Sequence, residues 1–251
     1  MYILRLTPHF YYTSKVTESW NVLYDQVGGM QTQIYRQSLE MSKKGIKQLV
    51  LPIGMPNAPK IWRVDKNVTV CKSNLPIIPI KSNIRAAFGL NFYWGCGTLL
   101  KLFTMRLRHK HEGFDIIHSH CSGVIAPLLV GKLAKVLLKK PLVYTVHCCR
   151  VSTYHPMSKF DEKINGFVIK LERHCLNYAD KIITLTDKTK NKICKEYEID
   201  EDRICVIPDV IDFEKFSSHA NEDSKRKFIN KWKLDEKEVV LFVGRIAHEK
   251  G

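Results

Sequence analysis

Tyr2-Ile3-Leu4-Arg5-Leu6, then Val27-Gly28-Gly29-Met30-Gln31, then Lys47-Gln48-Leu49-Val50-Leu51-Pro52: a short apolar run, a polar loop closed by paired glycines, and a second apolar run. Between the glycines and the second run, Met30, Ile34, Leu39 and Met41 give an imperfect apolar helix face, Lys43 and Lys44 occupy the last turn, and Gly45 suits a left-handed cap. The pattern predicts strand, loop, helix, strand. Paired glycines let backbone approach a ligand closely, and a helix opening there turns unpaired N–H groups and the positive end of its dipole toward it, which favours anions. Glycines at the carboxyl end of the first strand stand where open α/β sheets bind ligands, although Gly-Gly also serves as an ordinary turn.

The rest of the chain continues the alternation. Strands are expected at 67–71, 114–120, 141–147, 181–185 and 203–208, helices at 92–109, 123–138, 162–178 and 187–197, and a loop at 75–80. The helix at 92–109 sets Leu99, Leu100, Phe103 and Leu107 on one face with Lys101 and Arg108 opposite; such a face is expected to pack on its own sheet, with membrane docking as the alternative. Strands alternating with helices imply a doubly wound, mostly parallel sheet over residues 1–208. Residues 209–237 read as a charge-rich linker with one helix near 224–231. A fresh strand, Val239-Val240-Leu241-Phe242-Val243, opens a second domain at 238–251. A strand and glycine turn without a crossover helix lead us to expect a truncated second domain.

With 251 residues, 45% hydrophobic and 26% charged, the composition is globular. No apolar run reaches the ~18–20 residues of a membrane span, and Arg5 interrupts the N-terminal run where a signal peptide would need continuity, so a cytoplasmic protein is expected. The eight cysteines form no C-x-x-C pair and read as reduced, mostly buried small hydrophobes, Cys148-Cys149 included. The net charge of +15 fits nucleic acid, an anionic membrane or polyanionic small ligands. The basic residues are scattered, with no zinc-finger spacing and no basic tail, which argues against nucleic acid. His118 and His120 share a strand face but lack a third metal ligand of suitable spacing, and Asp200-Glu201-Asp202 precedes its strand as a solvated turn.

Taken in order, Gly28-Gly29, Thr145-Val146-His147, Glu172 to Asp180 before Lys181-Ile182-Ile183-Thr184, Val206-Ile207-Pro208-Asp209-Val210-Ile211-Asp212, and Phe242-Val243-Gly244-Arg245 to Lys250-Gly251 resemble the retaining GT-B glycosyltransferases of family 4. Where the common family pattern after the proline is Asn-Gly-Val-Asp, this chain has Asp209-Val210-Ile211-Asp212. Leu6-Thr7-Pro8, Val27-Gly28-Gly29-Met30-Gln31 and Gln48-Leu49-Val50-Leu51 are similar to the 2-deoxystreptamine glycosyltransferases of aminoglycoside biosynthesis, especially the N-acetylglucosaminyl enzymes on the route to paromamine.

The resemblance implies a Rossmann-like acceptor-side domain followed by a nucleotide-sugar-binding domain. It further implies transfer from UDP-N-acetylglucosamine to 2-deoxystreptamine with retention, without metal or cofactor, and a 251-residue piece that is itself inactive. Arg245 and Lys250 are then expected at the donor diphosphate, with Gly28 and Gly29 supplying N–H donors across the cleft. His147 is expected at a donor-sugar hydroxyl near the anomeric centre, and Glu18, Asp25 and Gln31 on the acceptor side, where carboxylates would meet the amines of the aminocyclitol. The alternatives are the same chemistry on a lipid or other glycan at a membrane surface, and a non-catalytic nucleotide-sugar-binding fragment.

Overall fold

The computed structural model describes residues 1–11, 29–54, 58–73, 90–110, 112–154, 156, 158–209, 211, 213 and 221–242. The expected loop at 75–80 lies outside them. Two compact units are present, Met1–Pro208 and Asp209–Gly251. In the first, the described elements are β1 (Tyr2–Leu6), α1 (Gly29–Lys43), β2 (Lys47–Leu51), β3 (Ile61–Asp65), β4 (Val68–Cys71), α2 (Leu90–Leu107), β5 (Ile116–Ser122), α3 (Ile125–Leu138), β6 (Leu142–Cys148), α4 (Arg150–Thr153), α5 (Lys159–Asn177), β7 (Lys181–Thr184), α6 (Asp187–Tyr197), a 3-10 turn at Glu201–Arg203 and β8 (Ile204–Val206). The second contains α7 (Glu222–Trp232), none of whose residues is buried.

One sheet runs β3-β4-β2-β1-β5-β6-β7-β8, parallel throughout except for the β3/β4 pair. Its inner strands bury apolar side chains such as Ile3, Leu4, Leu6, Val50, Leu51, Ile117, Leu142, Tyr144, Val146 and Ile182, as expected for a parallel sheet covered by helices. Each fully buried aliphatic or aromatic side chain contributes about 1.5–3 kcal/mol, so these strands carry a large share of the hydrophobic stabilisation. Helix α1 stops as its sequence predicts. Gly45, at φ +75°, donates to Ser42 O at 2.9 Å while Ile46 donates to Met41 O at 3.0 Å, the paired bonds of a Schellman cap. Ser158 caps α5 by accepting from Asp161 N, and Thr186 caps α6 by accepting from Thr189 N.

Three expectations are corrected. The first concerns α2, which turns a different face inward. Trp94, Thr98 and Leu102, four residues apart, are buried, and the Trp94 indole donates to Leu51 O at 2.9 Å. Leu100, Phe103 and Leu107 remain more than half exposed. Helix packing accompanies this choice: a Cβ at Gly95 would lie 3.6 Å from Val130 and 3.9 Å from Ala126 of α3, so Gly95 faces that helix. Leu99, Leu100 and Phe103 instead line an open apolar groove with Cys96, Leu133, Val136 and Leu137. Second, β3 was not foreseen; it is an antiparallel edge strand turned back on β4 through Lys66-Asn67. Third, residues 239–242 form no strand and are exposed, since an isolated strand has no ladder to satisfy its backbone groups.

All eight cysteines are free; four are buried and Cys205 is exposed. Among the described residues no helix is long and apolar enough to cross a membrane.

Glycine at 131 is required by proximity. A Cβ there would stand 2.7 Å from the ring of Tyr144, which is buried and tied by its hydroxyl to Leu128 O. Gly131→Ala is therefore expected to lower stability by about 1–3 kcal/mol through overpacking. Gly166→Ala, in α5 with open space around the new methyl, should raise it by about 0.5–1 kcal/mol. Urea midpoints at unchanged m-values check both.

Candidate active site at the switch of the sheet

From β1 the chain moves to β2 on one side and later to β5 on the other, so the strand order reverses between β1 and β5. Ligands of open α/β sheets bind outside the carboxyl ends of the strands at such a reversal. The register aligns Arg5 of β1 with His118 of β5, and His120 of β5 with Thr145 of β6. Because residues two apart on a strand share a face, Arg5, His118, His120 and His147 gather on one side of three adjacent strands.

They form a connected polar chain. The Arg5 guanidinium is fully buried, and among the described residues no carboxylate lies within salt-bridge distance of it. Its Nε and Nη2 donate to Gln48 Oε1 at 3.2 and 2.9 Å, Nη2 also reaches Met41 Sδ at 3.2 Å, and Nη1 lies 2.7 Å from His120 Nε2. Gln48 Nε2 donates to Ser38 O of α1 at 2.8 Å. His120 Nδ1 is 3.2 Å from His147 Nε2, and His118 Nε2 is 2.7 Å from Thr145 Oγ1. The His118 and His120 rings lie against each other, with centroids 4.3 Å apart.

Burial lowers the Arg5 pKa to about 10, leaving the guanidinium charged at neutral pH. Burial and then the Arg5 charge lower His147 to about 4. His118 and His120 are pushed well below the ordinary histidine range, first by burial and then by the neighbouring positive groups. The histidines are neutral at physiological pH beside a permanent cation, a polar floor suited to ligand oxygens.

Beyond β6 the chain enters a second buried network. Arg150 Nε donates to Asn165 Oδ1 at 2.6 Å, its guanidinium stacks 3.8 Å over Tyr154, and its backbone N–H donates to Glu172, which also accepts from Tyr197. Desolvation raises the Glu172 pKa. Tyr154 donates to Asp161 at 2.6 Å, which occupies that carboxylate locally.

His147 stands at the carboxyl end of β6 as the sequence suggests. Gly29 is the first residue of α1, with nothing within 4 Å of a Cβ built on it, and Gln31 is buried in the first turn of that helix. Gly28, Glu18, Asp25, Arg245 and Lys250 lie outside the described residues. His118 and His120 are absorbed into the polar chain and the bond to Thr145; among the described residues no group of three His, Cys, Asp or Glu could hold a metal. Asp200 and Asp202 are exposed before β8, with Glu201 paired to Lys190 at 2.7 Å. Sequence reasoning missed Arg5 and His120 as partners of His147. The available signal was a charged residue inside a run otherwise apolar on both faces.

Residues 27–215 match Glycosyltransferase Family 4. The chain belongs to glycosyltransferase family 4. It is 35% identical over 227 residues to the 2-deoxystreptamine N-acetyl-D-glucosaminyltransferase of Niallia circulans, covering 90% of this chain and 56% of that protein. It is 33% identical over 253 residues to the Streptomyces fradiae protein of the same name, covering 100% and 58%. The family 4 chain thus spans little more than half the length of the curated relatives it matches. Its fold is similar to sucrose-phosphate synthase from Thermosynechococcus elongatus (TM-score 0.67, 13% identity, 90% of this chain and 52% of that one). It is also similar to Anabaena HepE in complex with UDP-glucose (0.54, 15%, 94% and 50%). The fold class is α/β of the GT-B type.

The buried neutral histidines make stability acid-sensitive. An unfolded histidine titrates near ~6.5 and His147 in the fold near 4, so between those values the unfolded chain holds more protons. The contribution of His147 is complete above the unfolded value and is lost as pH falls toward 4. Denaturant midpoints should drop from pH 7 to pH 4.5, and His147→Asn should flatten that dependence. An identical pH slope in the variant would contradict the assignment.

Proposed function

We propose that this chain is the acceptor-side part of a retaining glycosyltransferase that moves N-acetylglucosamine from UDP-N-acetylglucosamine to 2-deoxystreptamine, in the cytoplasm, as a step of aminoglycoside antibiotic biosynthesis. The carrying observation is a neutral, buried-anchored His147 at the carboxyl end of β6, beside the strand reversal of a family 4 sheet. The choice of substrates is supported by the names of the 33–35% identical relatives, and a nucleotide-sugar donor by the UDP-glucose held by the structural neighbour.

In this reading the acceptor hydroxyl oxygen bonds to the anomeric carbon on the face that the diphosphate leaves. The bond from that carbon to the diphosphate oxygen breaks, and a departing phosphate oxygen takes the hydroxyl proton. Negative charge builds on the diphosphate as its bond to carbon breaks ahead of that proton transfer, so the protein's task is to stabilise it. Arg245 as a fork and Lys250 as a point charge serve the diphosphate without metal, and backbone N–H groups at Gly28-Gly29 add donors at the start of α1. His147 meets a hydroxyl of the donor sugar. The acceptor carries two amines, and a protein of charge +15 repels it at long range, so Glu18 and Asp25, with Gln31, provide the local attraction.

A second reading is favoured by the exposed apolar groove between α2 and α3, whose Val136 also lines a surface depression with Lys135, Lys139 and Lys140: the same transfer to a lipid-borne acceptor at an anionic membrane. The complete gene product, given UDP-N-acetylglucosamine and 2-deoxystreptamine, is expected to form the N-acetylglucosaminyl adduct of 2-deoxystreptamine, an N-acetylated paromamine, and not to require a lipid acceptor. Transfer to lipid alone, with co-sedimentation on anionic vesicles, would replace the first reading by the second. EDTA should leave turnover unchanged. Arg245→Ala or Lys250→Ala should lower it by about 10²–10³, the scale of one preorganised charge-stabilising donor; losses below tenfold in both would remove them from the diphosphate site. Asp25→Asn or Glu18→Gln should raise the acceptor KM and spare that of the donor. Equal losses with amine and hydroxyl acceptors would exclude the carboxylate role.

A further inference from the structure

We infer that Arg5 and His120 are positioning residues that fix the proton of His147 on Nδ1, so that His147 faces its ligand as a hydrogen-bond donor. The direction of the chain is anchored at a group that cannot reverse. Ser38 O is a backbone carbonyl and only accepts, so the Gln48 amide must point its nitrogen there and its oxygen at Arg5. A guanidinium has donors and no acceptor. At 2.7 Å, Nη1 therefore donates and His120 Nε2 accepts through its lone pair, which leaves the proton of a neutral His120 on Nδ1. That nitrogen lies 3.2 Å from His147 Nε2, which must accept in turn, and the His147 proton is left on Nδ1.

Any other arrangement sets two donors against each other. A proton on His120 Nε2 would meet the Arg5 N–H, and a proton on His147 Nε2 would meet His120 Nδ1–H. The chain thus specifies which hydrogen-bonding character reaches the ligand crevice, over a path that starts on the backbone of α1 and crosses β2, β1 and β5 to reach β6. Among the described residues His147 Nδ1 has no partner, so its N–H is available to an oxygen such as a sugar hydroxyl or a phosphate. From the glycosyltransferase reading this takes only the identity of that oxygen. An imidazole in this state cannot accept a proton at its ligand-facing nitrogen, which gives His147 a binding and orienting role and excludes general-base chemistry there.

The test is a long-range proton–nitrogen NMR correlation on the 251-residue chain labelled with 15N-histidine, with His147 assigned by its loss in His147→Asn. At pH 7 the His147 Nδ1 resonance should lie in the protonated range and Nε2 in the unprotonated range. In Arg5→Met and in His120→Phe, the two should move toward each other or exchange, as His147 reverts toward the Nε2–H form that free imidazole prefers. Arg5→Lys, which keeps a charged donor, should retain the wild-type pattern. The proposal is overturned if wild-type His147 carries its proton on Nε2, or if a folded Arg5→Met or His120→Phe keeps it on Nδ1. Should Arg5→Met fail to fold, the wild-type spectrum and His120→Phe still decide. Because the readout needs no sugar transfer, its failure is distinguishable from failure of the proposed reaction.

Discussion

A full positive charge sits inside this sheet. Burying an ion costs several kcal/mol even after the protein relaxes, and Arg5 is not repaid by a carboxylate among the described residues. Its compensation is dispersed over a glutamine oxygen, a thioether and an imidazole, each contributed by a different element. The register of β1 against β2 and β5 and the seating of α1 on the sheet must hold together for that charge to be tolerated. A stretch of surface chain would have no such obligation, and neither would an apolar residue at position 5. The arrangement trades stability for a fixed electrostatic environment at the mouth of the strands.

Much of the frame was readable because its residues are locally consistent. The apolar runs of β1, β2 and β6, the glycine that ends α1, and the strand–helix spacing all point to one doubly wound topology. Elements whose state depends on distant partners were not readable. Ile61-Trp62-Arg63-Val64-Asp65 has no clean period, and only its pairing with β4 makes it a strand. In α2 two apolar stripes compete, and the one centred on Trp94 and Leu102 turns inward, with Gly95 facing α3. The site divides in the same way. His147 was legible as a strand-end histidine in a family pattern, whereas its link to Arg5 runs through His120, itself 115 positions from Arg5, and no local signal encodes a register across parallel strands.

The networks flanking His147 differ in character. Before it lies the cationic chain of Arg5 and His120; after it, a guanidinium, a carboxyl group and a phenol from Arg150, Glu172 and Tyr197 meet in the interior between α4, α5 and α6. The second network ties α4 to α5 and α6 and so holds the segment following β6. His147 is therefore gripped from both sides of its own strand end, by interactions that do not involve the ligand.

The edge strand β3 also limits the sheet itself. Without it, β4 would present an unpaired row of backbone donors and acceptors beside the buried Val68 and Val70, an invitation for another chain to add on. β3 satisfies β4 and itself carries Arg63 and Asp65, with a register irregularity between them. A charged and irregular border is a poor template for further pairing. An unassuming five-residue strand thus makes the sheet finite on that side, guarding newly synthesised chains against joining edge to edge at high concentration.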